Sequence, residues 1–132
     1  MHLHFSENAA ETILLLFVII VFLQSGIDKA RHWGGNLSWL KEHFSKSPFK
    51  NQVPLLLGVI TVMELGAGLL SVAGLVHLLL HDNGGLAFYG ALVACVSLLM
   101  LLLGQRVAKD YEGAKTIVIY LVPAVFLLFL LQ

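Results

Sequence analysis

Charged side chains and cysteine are both scarce in this 132-residue chain. Only 12% of its residues are Asp, Glu, Lys or Arg, and it has one cysteine, Cys95. A single thiol cannot form a disulfide within the chain, which excludes a thiol-oxidising enzyme that uses paired cysteines. We interpret Cys95 as a small packing residue, because an unpaired buried cysteine behaves as a small hydrophobic side chain.

Motifs that hold cofactors or perform catalysis are also missing. The sequence has no phosphate loop, no nucleophile triad and no paired-cysteine motif, and no pair of histidines falls in the middle of two facing apolar runs to ligate a haem. His77 and His81 have a spacing that can bind a divalent metal, but nothing supplies a clear third ligand. We therefore expect the chain to hold no metal and no redox centre of its own.

Apolar sequence, by contrast, is abundant, since 58% of the residues are hydrophobic. A soluble domain of this size keeps too much of its surface in water to bury them. Four runs approach or exceed the ~20 residues that cross the hydrocarbon core of a bilayer, and they are Thr12–Arg31, Pro54–Leu80, Leu86–Gly104 and Ala114–Leu131. The sequence predicts an all-α polytopic membrane protein in which residues 1–132 form one antiparallel bundle of four transmembrane helices.

The residues before the first run lack the positive charge of a signal peptide. They contain no Lys or Arg and include Glu7 and Glu11, whereas a signal peptide begins with a basic region and ends at a small-residue cleavage site. We therefore expect the first run to be a retained transmembrane helix.

Positive charge is confined to two of the three loops. The eight Lys and Arg residues all lie in or beside the first and third loops, at Lys29, Arg31, Lys41, Lys46, Lys50, Arg106, Lys109 and Lys115. Because such loops stay in the cytoplasm, the pattern predicts both loops inside and both termini outside. The lipid bilayer is the expected partner, and no nucleic-acid partner is expected.

The first loop contains an apolar pattern with helical spacing. Leu40 and Phe44 share one helical face. Asn36 suits the N-cap of a new helix, after a glycine pair, Gly34-Gly35, that we expect to separate it from the first helix. We therefore predict a short interfacial helix over residues 36–45.

One ionisable residue, Glu64, lies near the middle of the second run. It shares a helical face with Thr61, Gly68 and Ser71. A charged side chain that faces lipid costs about 2.5–3.5 kcal/mol on insertion scales. We therefore expect this face of the helix to point into the bundle.

The side chains that can meet Glu64 come from the end of the first run, whose apolar part is too short to span the bilayer alone. We expect Gln24 and Asp28 to lie partly within the membrane beside Lys29, whose long side chain can extend towards the membrane centre. Lys29 is the predicted charged neighbour of Glu64, with Gln24 or a bridging water as the alternative. The candidate binding or buried polar site therefore comprises Glu64, Lys29, Gln24, Asp28, Thr61 and Ser71.

Two interpretations of this site remain open. Glu64 is either a neutral, protonated carboxyl hydrogen-bonded within the bundle, or part of a ligand, quinone or proton site, because ionisable groups inside membranes are often functional. For Asp28, the alternative is a solvated helix end with local charge pairs.

Three stretches of the chain resemble the DoxX family of small four-helix membrane proteins. They are "FLQSGIDK" at the end of the first run, "GVITVMELGAGLLSVAGL" in the second and "GQRVAKDYEGA" before the fourth. Glu64 followed by small residues through Gly68 is the most family-like element, and the Gly26-x-x-Lys29 pattern is the next. The resemblance spans essentially the whole chain and implies a bacterial inner-membrane protein.

The resemblance implies two classes of function. Some family members are subunits of quinone-linked sulfur or terminal oxidase systems, which favours an accessory subunit of a membrane redox complex with a quinone contact near Glu64 and Lys29. More distant relatives assist export or receptor assembly, so the alternative is a non-enzymatic assembly, chaperone or small-molecule transport protein. Either class implies other membrane subunits or further copies of the chain as partners, and neither requires the isolated chain to be an enzyme.

Overall fold

The computed structural model describes residues 4–132, and these residues form helices without any β-strand. A short 3-10 turn over Ser6–Asn8 precedes five α-helices. The helices are α1 (Ala9–Arg31), α2 (Trp33–His43), α3 (Val53–His81), α4 (Gly85–Val107) and α5 (Tyr111–Leu131).

The predicted four-helix membrane fold is confirmed. Helix α1 with its preceding turn, α3, α4 and α5 are each long and apolar enough to cross a membrane. The outer surface of these helices exposes large apolar side chains, among them Ile20, Val62, Leu69 and Phe129. Such a surface suits lipid rather than water, and the chain is therefore a small multi-pass membrane protein.

Helix α3 lies at the centre of the packing. It packs extensively against α1 and α4, while α5 packs mainly on α4 and smaller contacts between α1 and α5 close the bundle. At the α3–α4 contact, a Cβ added to Gly74 would lie 2.4 Å from the backbone of Ala87. Small residues therefore bring the two backbones together, as is typical of helix pairs in lipid.

The core of the bundle is built from small and aliphatic side chains. Leu15 and Val18 of α1, Ala67 of α3 and Ala91 of α4 are fully buried, and Cys95 is buried among them. This position of Cys95 agrees with its interpretation as a packing residue.

Helix α2 begins earlier than predicted. The chain leaves helical geometry at His32, with φ −114° and ψ 44°, and α2 then runs from Trp33 to His43. Gly34 and Gly35, predicted to separate the two helices, instead lie in its first turn, where the described residues leave open space around both. A glycine there loses some helix propensity but meets no steric requirement to break the helix. The predicted helix of the first loop is therefore present, but it begins three residues before Asn36 and ends two residues before Ser45.

The two ends of the bundle differ in character. One end, here called the basic end, carries α2 and the turn between α4 and α5, and it holds the Lys and Arg residues. At the opposite end, the backbone N–H of His4 donates to the Leu79 carbonyl at 2.9 Å, and the Asn8 side chain donates to Asp82 at 2.8 Å. These bonds hold the start of α1 against the end of α3.

Candidate functional site

The side chains of Lys29 and Glu64 meet inside the bundle. Lys29 Nζ lies 2.9 Å from Glu64 Oε1, and it donates a hydrogen bond of 2.7 Å to Ser25 Oγ one turn earlier in α1. The Glu64 side chain is 3% exposed and that of Lys29 is 18% exposed. The sequence-predicted neighbours are therefore in direct contact, here called the ion pair, without Gln24 between them.

Two glycines allow α1 and α3 to approach closely next to the ion pair, on the side away from the basic end. A Cβ added to Gly26 of α1 would lie 2.8 Å from the Leu65 side chain, and one added to Gly68 of α3 would lie 2.5 Å from that of Leu23. Each glycine thus receives a leucine from the other helix. The close approach lets the lysine side chain of α1 reach a carboxylate in the middle of α3.

The ion pair is a close charge contact rather than an aligned hydrogen bond. The 2.9 Å between Lys29 Nζ and Glu64 Oε1 is short, but the direction of approach leaves this oxygen without a hydrogen-bonded donor among residues 4–132. The two charges therefore stabilise each other by Coulomb attraction in an apolar surrounding. Removal of Lys29 would leave Glu64 buried without a charged partner, and removal of Glu64 would leave Lys29 bonded to Ser25 alone.

Thr61 and Ser71 lie on the buried face of α3, as predicted, but they differ in their surroundings. The Thr61 hydroxyl donates to the Leu57 carbonyl at 2.6 Å, which satisfies it within the helix. Ser71 is fully buried against α4, where a Cβ added to Gly90 would lie 2.7 Å from its Oγ. Ser71 therefore belongs to the α3–α4 contact, and its Oγ has no hydrogen-bond partner in the described part of the chain.

Gln24 and Asp28 do not join the buried polar site. Both are exposed on α1, whereas the buried side of this helix passes through Phe22 and Gly26. At 3.6 residues per turn, Gln24 lies roughly 200° around the helix from Phe22, and Asp28 follows it one turn later. Gln24 and Asp28 were predicted for the site from their depth in the membrane alone. They lie on the side of α1 that points away from α3.

An apolar pocket of ≈ 200 Å³ lies between α2, α3 and α4 at the basic end. Three aromatic residues of α2 and the turn after it, Trp39, Phe44 and Phe49, form one wall, and aliphatic residues of α3 and α4 form the others. Lys29 and Gln105 bring polar groups to the lining. Lys29 therefore connects the pocket to the ion pair.

Sequence reasoning missed this pocket, although part of its signal was present. The helix predicted over residues 36–45 contains Trp39 and Phe44, and we interpreted it as lying on the membrane surface. Their approach to α4 depends on how the loop folds back, which the local pattern does not contain. The aliphatic lining residues look like any other residues of an apolar run.

A second polar contact lies beside the pocket and joins α2 to the end of α4. His43 Nε2 is 2.8 Å from Gln105 Oε1 and 3.7 Å from Asp110 Oδ2. The His43 ring also stacks on Trp39, with ring centroids 4.6 Å apart. This contact was not predicted, since its members are 62 residues apart in the chain.

The histidines considered as metal ligands lie at the opposite end of the bundle. His77 and His81 are exposed, and their ring centroids are 5.7 Å apart. Within residues 4–132, no three His, Cys, Asp or Glu side chains are grouped so that they could hold a metal ion.

Comparisons with protein-family models, curated proteins and solved structures each find no match for this chain. The resemblance to the DoxX family therefore stays a prediction from the sequence.

Proposed function

We propose that this protein is a DoxX-like accessory subunit of a quinone-linked redox complex in the bacterial inner membrane, and that its pocket holds the ring of a membrane quinone. The observation that carries the proposal is the aromatic-walled pocket that has Lys29 among its lining residues. A quinone ring is flat, apolar and uncharged, and it carries two carbonyl acceptors. These properties match the groups that line the pocket.

The charge state of the ion pair favours a neutral ligand. Lys29 is already paired with Glu64, so the two side chains together present no net charge to an anion. The ammonium group has three N–H donors, and Ser25 accepts one of them. A ligand carbonyl is therefore a better acceptor here than a carboxylate, which the glutamate would repel.

The pocket also suits the ring in size and surroundings. An apolar cavity of about 150 Å³ is enough to bind benzene, so a pocket of ≈ 200 Å³ can take a substituted six-membered ring. The aromatic side chains of Trp39, Phe44 and Phe49 provide faces and edges for stacking. The isoprenoid tail of the quinone would lie against the apolar outer surface of the bundle.

The proposal assigns the chain a binding role rather than complete redox catalysis. A bound quinone would supply the electron-accepting ring, and electrons would come from a partner subunit, because the sequence has no haem ligand pair or dinucleotide loop. Helix α5 is the least buried of the four spans, so it offers a face to partner subunits. By the positive-inside rule, the pocket lies on the cytoplasmic side and both termini lie outside.

Direct binding tests the proposal. Purified protein in lipid nanodiscs should bind a short-chain ubiquinone analogue in equilibrium dialysis. The variant Lys29→Met with Glu64→Gln removes the donor without leaving an unpaired charge, and it should bind at least about tenfold more weakly, as expected for the loss of a hydrogen bond from a charged donor. Lys115→Met, which replaces an exposed lysine, is the matched control and should bind normally.

Purification from the native membrane distinguishes the two classes of function. Mass spectrometry of the intact assembly should identify oxidoreductase subunits and a lipid quinone. Envelope or secretion proteins in place of oxidoreductase subunits, together with no measurable quinone binding by the purified chain, would overturn the proposal and favour the non-enzymatic alternative.

A further inference from the structure

We propose that α2 is a lid over the pocket, hinged at His32 and latched to α4 by the hydrogen bond between His43 and Gln105. The lid concerns the same pocket as the proposed function, and it rests on that function only for the identity of the ligand. It assigns a gating role to a segment that the quinone proposal uses merely as a wall.

The hinge is visible in the backbone. His32 has non-helical dihedrals between two helices that otherwise continue without a loop. Gly34 and Gly35 follow after Trp33 and have open space around them in the described structure. Because glycine adopts more backbone conformations than other residues, these positions can absorb a change in the direction of α2.

The body of α2 is weakly held. The structure describes every residue of α2, and none of them is buried. It has far smaller contacts with α1 and α3 than those helices have with each other. Elements with few buried apolar contacts open at low free-energy cost, so α2 can move while the four spans stay packed.

The latch lies at the opposite end of α2 from the hinge. His43 is the last residue of α2, and its Nε2 lies 2.8 Å from Gln105 Oε1 near the end of α4. Beside this bond, the ring of Phe44 sits over Gly104, where an added Cβ would be 3.5 Å from the ring. One polar and one apolar contact thus hold the C-terminal end of α2 against the same helix.

The rim of the pocket faces the outer surface of the bundle. Trp39 on the lid and Leu103 on α4 both line the pocket, and each is 57% exposed. Both are large apolar side chains, so this rim suits contact with lipid rather than with water. When the latch opens, the gap between α2 and α4 would therefore admit an apolar ligand sideways from the membrane.

Cysteine labelling measures the opening without any assumed ligand. Leu57 is 1% exposed and lines the pocket, so Leu57→Cys on a Cys95→Ala background is labelled by N-ethylmaleimide only when the pocket opens. Gln105→Leu should raise the labelling rate about three- to tenfold, the population change that follows from the loss of one hydrogen bond. Gln24→Leu, the same change at an exposed position of α1, should leave the rate unchanged.

Two further measurements separate an open lid from a loosened fold. Cys95 of the otherwise native protein is buried in the core, and its labelling rate should not change in Gln105→Leu. His43→Ala should raise the rate at Leu57→Cys at least as much as Gln105→Leu does, because it removes the same hydrogen bond together with the stacking on Trp39. The double variant should add little to His43→Ala, because both changes break the shared hydrogen bond. If Leu57→Cys does not fold, Ile60→Cys, at a position that is 7% exposed in the same lining, replaces it as the reporter.

The proposal that α2 is a lid would be refuted if Gln105→Leu left the labelling rate at Leu57→Cys unchanged. An equal rise in the labelling rate of Cys95 would also refute it. Quinone binding is measured separately on the protein without the reporter. A pocket that opens as expected but binds no quinone would refute the proposed function and leave the lid standing. Quinone binding together with a labelling rate that Gln105→Leu does not change would support the proposed function and refute the lid.

Discussion

Replacing either member of the ion pair should destabilise the bundle, and replacing both should restore much of the loss. Breaking a buried pair by removal of one charge typically costs about 3–5 kcal/mol, because the other charge stays buried without a partner. Lys29→Met leaves Glu64, which is 3% exposed, so this variant should fall near the upper end of the range. Glu64→Gln leaves Lys29, which is 18% exposed and still bonded to Ser25, so its loss should be smaller.

The double variant distinguishes a charged pair from two independent residues. If the two losses simply added, the bundle would lose roughly 8 kcal/mol of its free energy of unfolding. If the residues form an ion pair, the double variant should lose only about 1–3 kcal/mol, the cost of one buried amide without a partner. The difference is the coupling energy of the pair.

The assay is unfolding by sodium dodecyl sulfate in mild-detergent micelles, followed by circular dichroism. It gives the free energy of unfolding of the unchanged protein, of the two single variants and of the double variant. The matched control is Glu112→Gln with Lys115→Met, because both residues are exposed on α5. These control changes should stay within about 0.5 kcal/mol, singly and together. Strict additivity of the Lys29 and Glu64 losses would refute a charged pair and favour a protonated Glu64 held by neutral neighbours.

Three other outcomes test the fold and its orientation. Gly74→Ala should lower the free energy of unfolding by about 1–3 kcal/mol, because the new Cβ would lie 2.4 Å from the Ala87 backbone. The control is Gly66→Ala, where the described residues leave open space, and it should be neutral or slightly stabilising in the same assay. In a cysteine-free background, a cysteine at Asn83 should react with a membrane-impermeant maleimide from outside and one at Lys46 only from inside, and the reverse pattern would refute the positive-inside assignment. Amide hydrogen exchange should be faster in α2 than in α3 and α4, because α2 has little buried surface; equal protection would contradict a weakly held lid.

The position of Glu64 was predictable because the charge is costly in lipid. Thr61, Glu64, Gly68 and Ser71 recur on one face of an apolar helix, and a bilayer forces such a face inward. Lys29 was predictable as the neighbour from its reach and from the short apolar part of the first run. Both arguments use only the spacing along a helix and the free energy of transfer into hydrocarbon.

The rest of the polar site was not predictable in the same way. Helix α1 is apolar on most of its circumference, so the sequence shows how deep Gln24 and Asp28 lie but not which side they occupy. Their side became clear only from the Gly26–Leu65 contact, which determines the face of α1 that meets α3. The start of α2 was mispredicted because glycines near a helix end weaken it without breaking it.

The class of protein, the four spans and the inward face of α3 could all be predicted from the amino-acid sequence alone. These properties follow from transfer free energies that sum residue by residue along the chain. Three further contacts became clear only from the packed bundle. Lys29 contacts Glu64 directly, aromatic rings of the first loop form a pocket with α4, and His43 contacts Gln105. Each of these contacts joins residues far apart in the chain, so each depends on the relative position of packed helices, which small-residue contacts between neighbouring backbones determine.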